Sequence, residues 1–229
     1  SNVLNFYNSS CYVKTGEYIT YINKNSFNFG TDADVMVLSA TVNEFFTKTA
    51  FKNVSFINLG QAEYKGELFQ VPARSLSRSC INKNKEGYEK YCNKLCSQFL
   101  GEDYNLLTFP EFLLDQKTNV EKQLNLWNCV GLDNFQDKDL AIIGTPHCPP
   151  VVYYLMANVL GLNTNKSATE YRAIIRNGYE FYFNTFSEEQ ELTEIQMYLI
   201  ESVLMQAVGR ARLVNNEKTD MEGFYKELE

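Results

Sequence analysis

Short apolar runs alternating with stretches of helical periodicity constrain this chain more than any other feature. Strand-type runs fall at 34–40 (DVMVLSA), 54–59 (VSFINL), 67–73 (ELFQVPA), 104–109 (YNLLTF), 126–130 (LWNCV), 139–144 (DLAIIG) and 179–183 (YEFYF). Several are too continuously apolar to alternate faces, which is the pattern of strands covered by helices on both sides. Helical spacing fills the intervals, and strand-helix-strand alternation implies crossover connections and a mainly parallel sheet in an α/β fold.

The helices carry their own signals. Residues 43–50 read as a short helix, and Tyr88, Tyr91, Cys92, Leu95 and Phe99 fall on one face of a second over 86–100, with Gly101 placed to end it. A further helical stretch is expected from about 110 to about 124. Pro149 and Pro150 suit the first turn of a helix reaching Leu160, with Gly161 as its C-cap. The longest helix begins at a Ser187 cap, has acidic residues at 188–191 near its positive end, and buries Leu192, Ile195, Leu199, Val203 and Ala207. The first thirty residues, rich in Asn, Tyr and Ser, read as irregular structure or short strands such as 17–22 (EYITYI).

Composition removes several classes of function. At 229 residues with 45% hydrophobic content, the chain is long enough for a substantial core. No apolar run approaches bilayer length and no secretory leader pattern is present, so a cytoplasmic protein without a membrane partner is expected. The six cysteines are scattered, as reduced thiols are, and Cys92, Cys96, His147 and Cys148 lack the paired spacing of a metal cluster, so no metal site is expected. A nucleophilic triad would have to pass through His147, the single histidine, which has no nucleophile motif around it. A net charge of -7 disfavours a broad basic face for nucleic acid and leaves room only for local phosphate contacts.

Three short elements carry chemistry. The long helix runs into Gln206-Ala207-Val208-Gly209-Arg210-Ala211-Arg212, where arginines at a helix end either complement the dipole or reach out to a phosphate. Upstream, Gly131-Leu132-Asp133-Asn134-Phe135 is either an ordinary turn or a loop whose glycine permits close approach to a ligand while Asp133 accepts hydrogen bonds from hydroxyls. Further upstream, Leu38-Ser39-Ala40-Thr41 follows a strand-type run, and its hydroxyls could equally cap the helix behind it. Arg74 and Arg78, with hydroxyl neighbours in 69–79, suit either a solvated loop or contact with backbone phosphates.

In their order and setting these elements resemble motifs III, V and VI of superfamily 2 helicases, over roughly residues 35–214. The resemblance implies a three-layer RecA-like lobe, the C-terminal one of an ATP-dependent DNA or RNA helicase. Residues 1–41 would then be an extension ending in the tail of the first lobe, and 42–229 the second lobe. It assigns Arg210, Arg212 and Gln206 to closure over the γ-phosphate, with Gly209 freeing the backbone to leave the helix. It assigns Gly131, Asp133 and Gly209 to the nucleotide, and Ser39, Thr41, Asn134, Thr145, Arg74 and Arg78 to nucleic acid or to coupling; His147, on the same loop as Thr145, is a further candidate for phosphate contact. Arg212 falls six residues after Gln206, one short of the commoner spacing. ATP and Mg2+ are the implied ligands, held mainly by an N-terminal RecA-like lobe as partner. No Gly-Lys-Ser/Thr loop and no Asp-Glu pair after an apolar strand occur in this sequence, so alone it is expected neither to bind ATP tightly nor to hydrolyse it. The competing readings are a non-catalytic RecA-like scaffold and an unrelated α/β enzyme with a small ligand at its strand ends.

Overall fold

The computed structural model describes residues 2–23, 35–37, 41–51, 53–57, 67–71, 75–101, 104–112, 120–128, 135, 139–164, 167–176 and 178–211. In chain order the elements are α1 (Asn2–Tyr7), β1 (Cys11–Thr15), β2 (Tyr18–Ile22), α2 (Glu44–Ala50), α3 (Arg78–Lys83), α4 (Lys85–Leu100), β3 (Tyr104–Thr108), β4 (Val120–Asn125), β5 (Leu140–Ile142), α5 (Pro150–Val159), β6 (Thr169–Arg176), β7 (Tyr179–Phe186) and α6 (Gln190–Gly209). The chain divides into two compact units, one of residues 1–57 and 146–202, the other of residues 58–145 and 203–229.

The second unit contains the parallel sheet that the alternating pattern predicts. β4 and β5 flank β3, both parallel to it, with Leu106 opposite Gln123 on one side and Ala141 on the other. Every residue of β3 is buried, so the sheet is covered on both faces. On one face Tyr104, Leu106 and Ala141 pack with Cys96 of α4, and partly buried Leu100 and Ile143 close that layer. On the other, Leu107, Phe109, Phe112, Leu126 and Phe135 pack with Ile81 of α3 and Ala207 of α6. Full burial of a side chain of this size is worth about 1.5–3 kcal/mol, so these two layers hold the sheet together.

Helix ends follow local chemistry. The Asn84 carboxamide oxygen accepts from the Gly87 amide at 3.0 Å and starts α4, whereas Gly101 at φ 70° ends it. Pro150 opens α5 and Gly161, at φ 74°, follows it, as the sequence predicts.

The first unit is built differently. β1 and β2 form an antiparallel hairpin, and the Cys11 thiol reaches the Leu155 carbonyl of α5 at 3.7 Å. β6 and β7 form a second antiparallel hairpin. Its core joins Tyr153 and Ala157 of α5, Phe186, Leu192 and Ile195 of α6, and Phe46 of α2, whose ring stacks on Tyr198 at 4.5 Å. Arg176 ties the hairpin to α6, its Nε and Nη2 donating to both oxygens of Glu201 at 2.8 and 3.0 Å and its Nη1 to Glu194 at 3.2 Å.

Several sequence expectations are corrected. Val35, Met36 and Val37 are not in a strand and are 50, 80 and 73% exposed; they have no hydrogen-bonded neighbour strand among the described residues, and 38–40 lie outside those. Nor are 54–57 and 67–71 strands, and Ile57 and Leu68 are largely exposed. The run at 126–130 begins instead with a 3-10 turn over Leu126–Asn128, and the strand lies before it, at Val120–Asn125. The Asn125 side chain accepts from the Trp127 amide at 3.1 Å, which turns the chain out of the strand. Of the helix expected from about 110 to about 124, the described residues show only a 3-10 turn, Pro110–Phe112, ahead of that strand. α6 starts at Gln190, so Ser187 is not its cap.

Candidate nucleotide and nucleic-acid edge

The carboxyl end of the parallel sheet carries Phe109, Glu111, Gly144 and Thr145, with Arg78 against the Phe109 ring. Phe109 follows the last residue of β3, and its ring lies where three chain segments converge. The Arg78 guanidinium sits over that ring at 4.7 Å from its centroid, and Arg78 Nε pairs with Glu111 Oε1 at 3.1 Å. Gly144, after β5, takes φ +119°, and a Cβ there would stand 2.6 Å from Phe109 Cε2. Only glycine combines that dihedral with so close a ring. The next amide, that of Thr145, donates to the Leu76 carbonyl at 3.3 Å, so Thr145 and the segment leading into Arg78 share one edge. This bond places Thr145 against Leu76, two residues before Arg78.

α6 delivers the other group. Ala207 is fully buried in the cluster that contains Phe109 and Phe135, with partly buried Val203 one turn earlier. Gln206 in the last turn of α6 and Arg210 just beyond its end are both half-buried, and Arg210 Nε is buried. The Arg210 amide donates to the Ala207 carbonyl at 3.1 Å and that of Ala211 to Val208 at 3.0 Å, a tightened last turn. Gly209 is the last helical residue, its φ lies outside the left-handed region, and a Cβ on it would meet nothing within 4 Å, so the chain leaves the helix there without a left-handed residue.

Ser39, Arg74, Gly131, Asp133, Asn134 and Arg212 lie outside the described residues. Thr41 belongs to the first unit, at a half-buried turn two residues before Asn43, whose side chain accepts from the Phe46 amide and caps α2.

His147, also in the first unit, is a packing residue. Its ring lies 5.1 Å from that of Phe183, and Nδ1 is 3.5 Å from Gln196 Nε2. Gln196 is itself committed, accepting from Thr185 Oγ1 at 2.7 Å and donating to the Asn184 carbonyl at 3.0 Å. Burial holds the His147 pKa below its ordinary value, so the imidazole is kept neutral. Burial likewise pushes Cys92 up to about 11, assisted by neighbouring Cys96, and marks both as core thiols. Cys80 differs: hydrogen bonds from Ser77 and then Ser75 hold its thiol below the usual range.

Phe109, Glu111 and Gly144 are the residues of this edge that sequence reasoning misses. The available signal was Phe109-Pro110-Glu111, a turn at a strand's carboxyl end, where ligands of α/β sheets bind. Among the described residues no group of three or more His, Cys, Asp or Glu side chains could hold a metal ion, and no helix is long and apolar enough to cross a membrane. No protein-family model, no curated protein and no solved structure matches the chain.

Proposed function

We propose that the chain is the C-terminal RecA-like lobe of an ATP-dependent helicase or translocase acting on DNA or RNA. One observation carries this reading: Phe135 and Ala207 are buried in one cluster beside the carboxyl ends of a parallel sheet. In sequence, Asp133 is two residues from the first anchor and Arg210 three from the second. Phe135 and Ala207, about seventy residues apart, thus share one patch of core, which supports a shared nucleotide edge.

Two further observations support it. A parallel sheet in the order β4-β3-β5 with helices on both faces is compatible with a RecA-like lobe. Val35, Met36 and Val37, apolar residues just before Ser39 and Thr41, stand exposed, which fits a segment that packs against another body.

In this reading Arg210 supplies the chemistry. Charge spreads over the phosphoryl oxygens as ATP is cleaved, and a half-buried guanidinium meets it with less competing water than an exposed one. Arg212 and Gln206 would flank it, Gly131 would let backbone approach the nucleotide, and Asp133 would accept from the ribose hydroxyls. The described residues offer no cluster for Mg2+, so the reading leaves the metal and the triphosphate cradle to the N-terminal lobe and derives no step through the ion.

The test is an ATPase assay of the chain alone and of the protein carrying both lobes, each with and without single-stranded nucleic acid. Hydrolysis that needs both lobes and rises with nucleic acid supports the proposal. Turnover by the chain alone, or none by the two-lobed protein, overturns it.

A further inference from the structure

We infer that Glu111 is an internal competitor for nucleic-acid phosphate at Arg78, and that Phe109 is the platform presenting that guanidinium; the inference rests on the helicase-lobe reading above. A free arginine on a loop samples many rotamers. Arg78 does not stand free: its guanidinium lies 4.7 Å from the Phe109 ring centroid, and Nε is 3.1 Å from the Glu111 carboxylate. The platform is fixed, because Phe109 is 2% exposed, buried in the core cluster and backed by Gly144. The charged pair above it is not, since the side chains of Arg78 and Glu111 are 48 and 44% exposed.

Stacking leaves the plane of a guanidinium available to an anion while fixing its position, and a phosphodiester oxygen is the same kind of acceptor as the carboxylate already there. The two compete for one cation. An exposed pair of this sort is weak, so phosphate can displace Glu111, and the carboxylate sets how readily. The neighbouring hydroxyls of Ser77 and Ser79, 3.3 Å apart, add uncharged donors close in sequence to Arg78. An acidic chain thereby keeps one phosphate contact attenuated.

The experiment measures dissociation constants of the two-lobed protein for a single-stranded oligonucleotide at two salt concentrations, for wild type, Glu111→Gln, Arg78→Ala and the double variant. Glu111→Gln is expected to tighten binding roughly two- to fivefold, the worth of an exposed pair. Arg78→Ala should weaken it and flatten the salt dependence by about one phosphate contact. In the double variant the gain from Glu111→Gln should vanish. A gain that persists without Arg78 would be general electrostatics, and unchanged affinity of Glu111→Gln while Arg78→Ala weakens binding would show an uncontested contact; either overturns the inference alone. No binding by wild type or Glu111→Gln overturns the inference together with the helicase reading. Arg78→Lys keeps the charge but not the stacked plane, and wild-type affinity in that variant would exclude Phe109 as the platform.

Discussion

The Cα of Gly144 lies against the ring of Phe109 so closely that a methyl group on it would stand 2.6 Å from Cε2. With φ at +119°, Gly144→Ala combines a dihedral that L residues rarely adopt with a collision against a core ring. The expected loss is about 2–4 kcal/mol, read as a lower urea midpoint. Gly209→Ala is the contrasting case. Its site is helical and open, so alanine should be neutral or stabilising by up to about 1 kcal/mol. A severe loss at 209 and none at 144 would contradict the described backbone.

His147 makes the first unit acid-sensitive. Its folded pKa lies below the unfolded value of 6.5 because burial disfavours the imidazolium. The unfolded chain therefore binds the proton first, and stability falls as pH drops from above 6.5 toward the lowered folded value. Chemical denaturation at about pH 8 and about pH 5 should show a larger drop for wild type than for His147→Gln. Equal drops would mean that the imidazole is not buried against Gln196 and Phe183.

Arg176 is bound by two glutamates of α6, with Nε and Nη2 on Glu201 and Nη1 on Glu194. Arg176→Ala removes these charge-assisted bonds and leaves like charges on one helix, for an expected cost of about 1–3 kcal/mol. Lysine should recover only part of it, since an ammonium cannot reproduce the forked geometry. Thermal melts at low and high salt check this: the cost should shrink with salt, and a cost below a few tenths of a kcal/mol would show the clamp to be ornamental.

How far the sequence revealed this depends on where each signal resides. The strand YNLLTF was legible because its Leu-Leu centre and aromatic ends make a short, mostly apolar run, and α5 because proline and glycine mark its ends. β4 was not: Glu121, Lys122 and Gln123 are good helix formers, and their strand state is set by pairing with β3, which no local pattern reveals. The β6–β7 hairpin was half missed, although Asn177-Gly178 between alternating runs is a recognised hairpin signal. Arg78 and Thr145 were singled out separately, but their shared edge comes from Phe109 and Gly144, a tertiary juxtaposition.

The proposed meeting of Arg210 with the phosphoryl group of ATP is tested most directly by single-turnover hydrolysis in a protein carrying both proposed lobes. Arg210→Ala should lower the rate by about 10³ to 10⁵ fold, with the denaturation midpoint and ATP affinity little changed, because a transition-state contact is lost and not a structural one. A rate within a few fold of wild type in a folded Arg210→Ala protein would contradict the account.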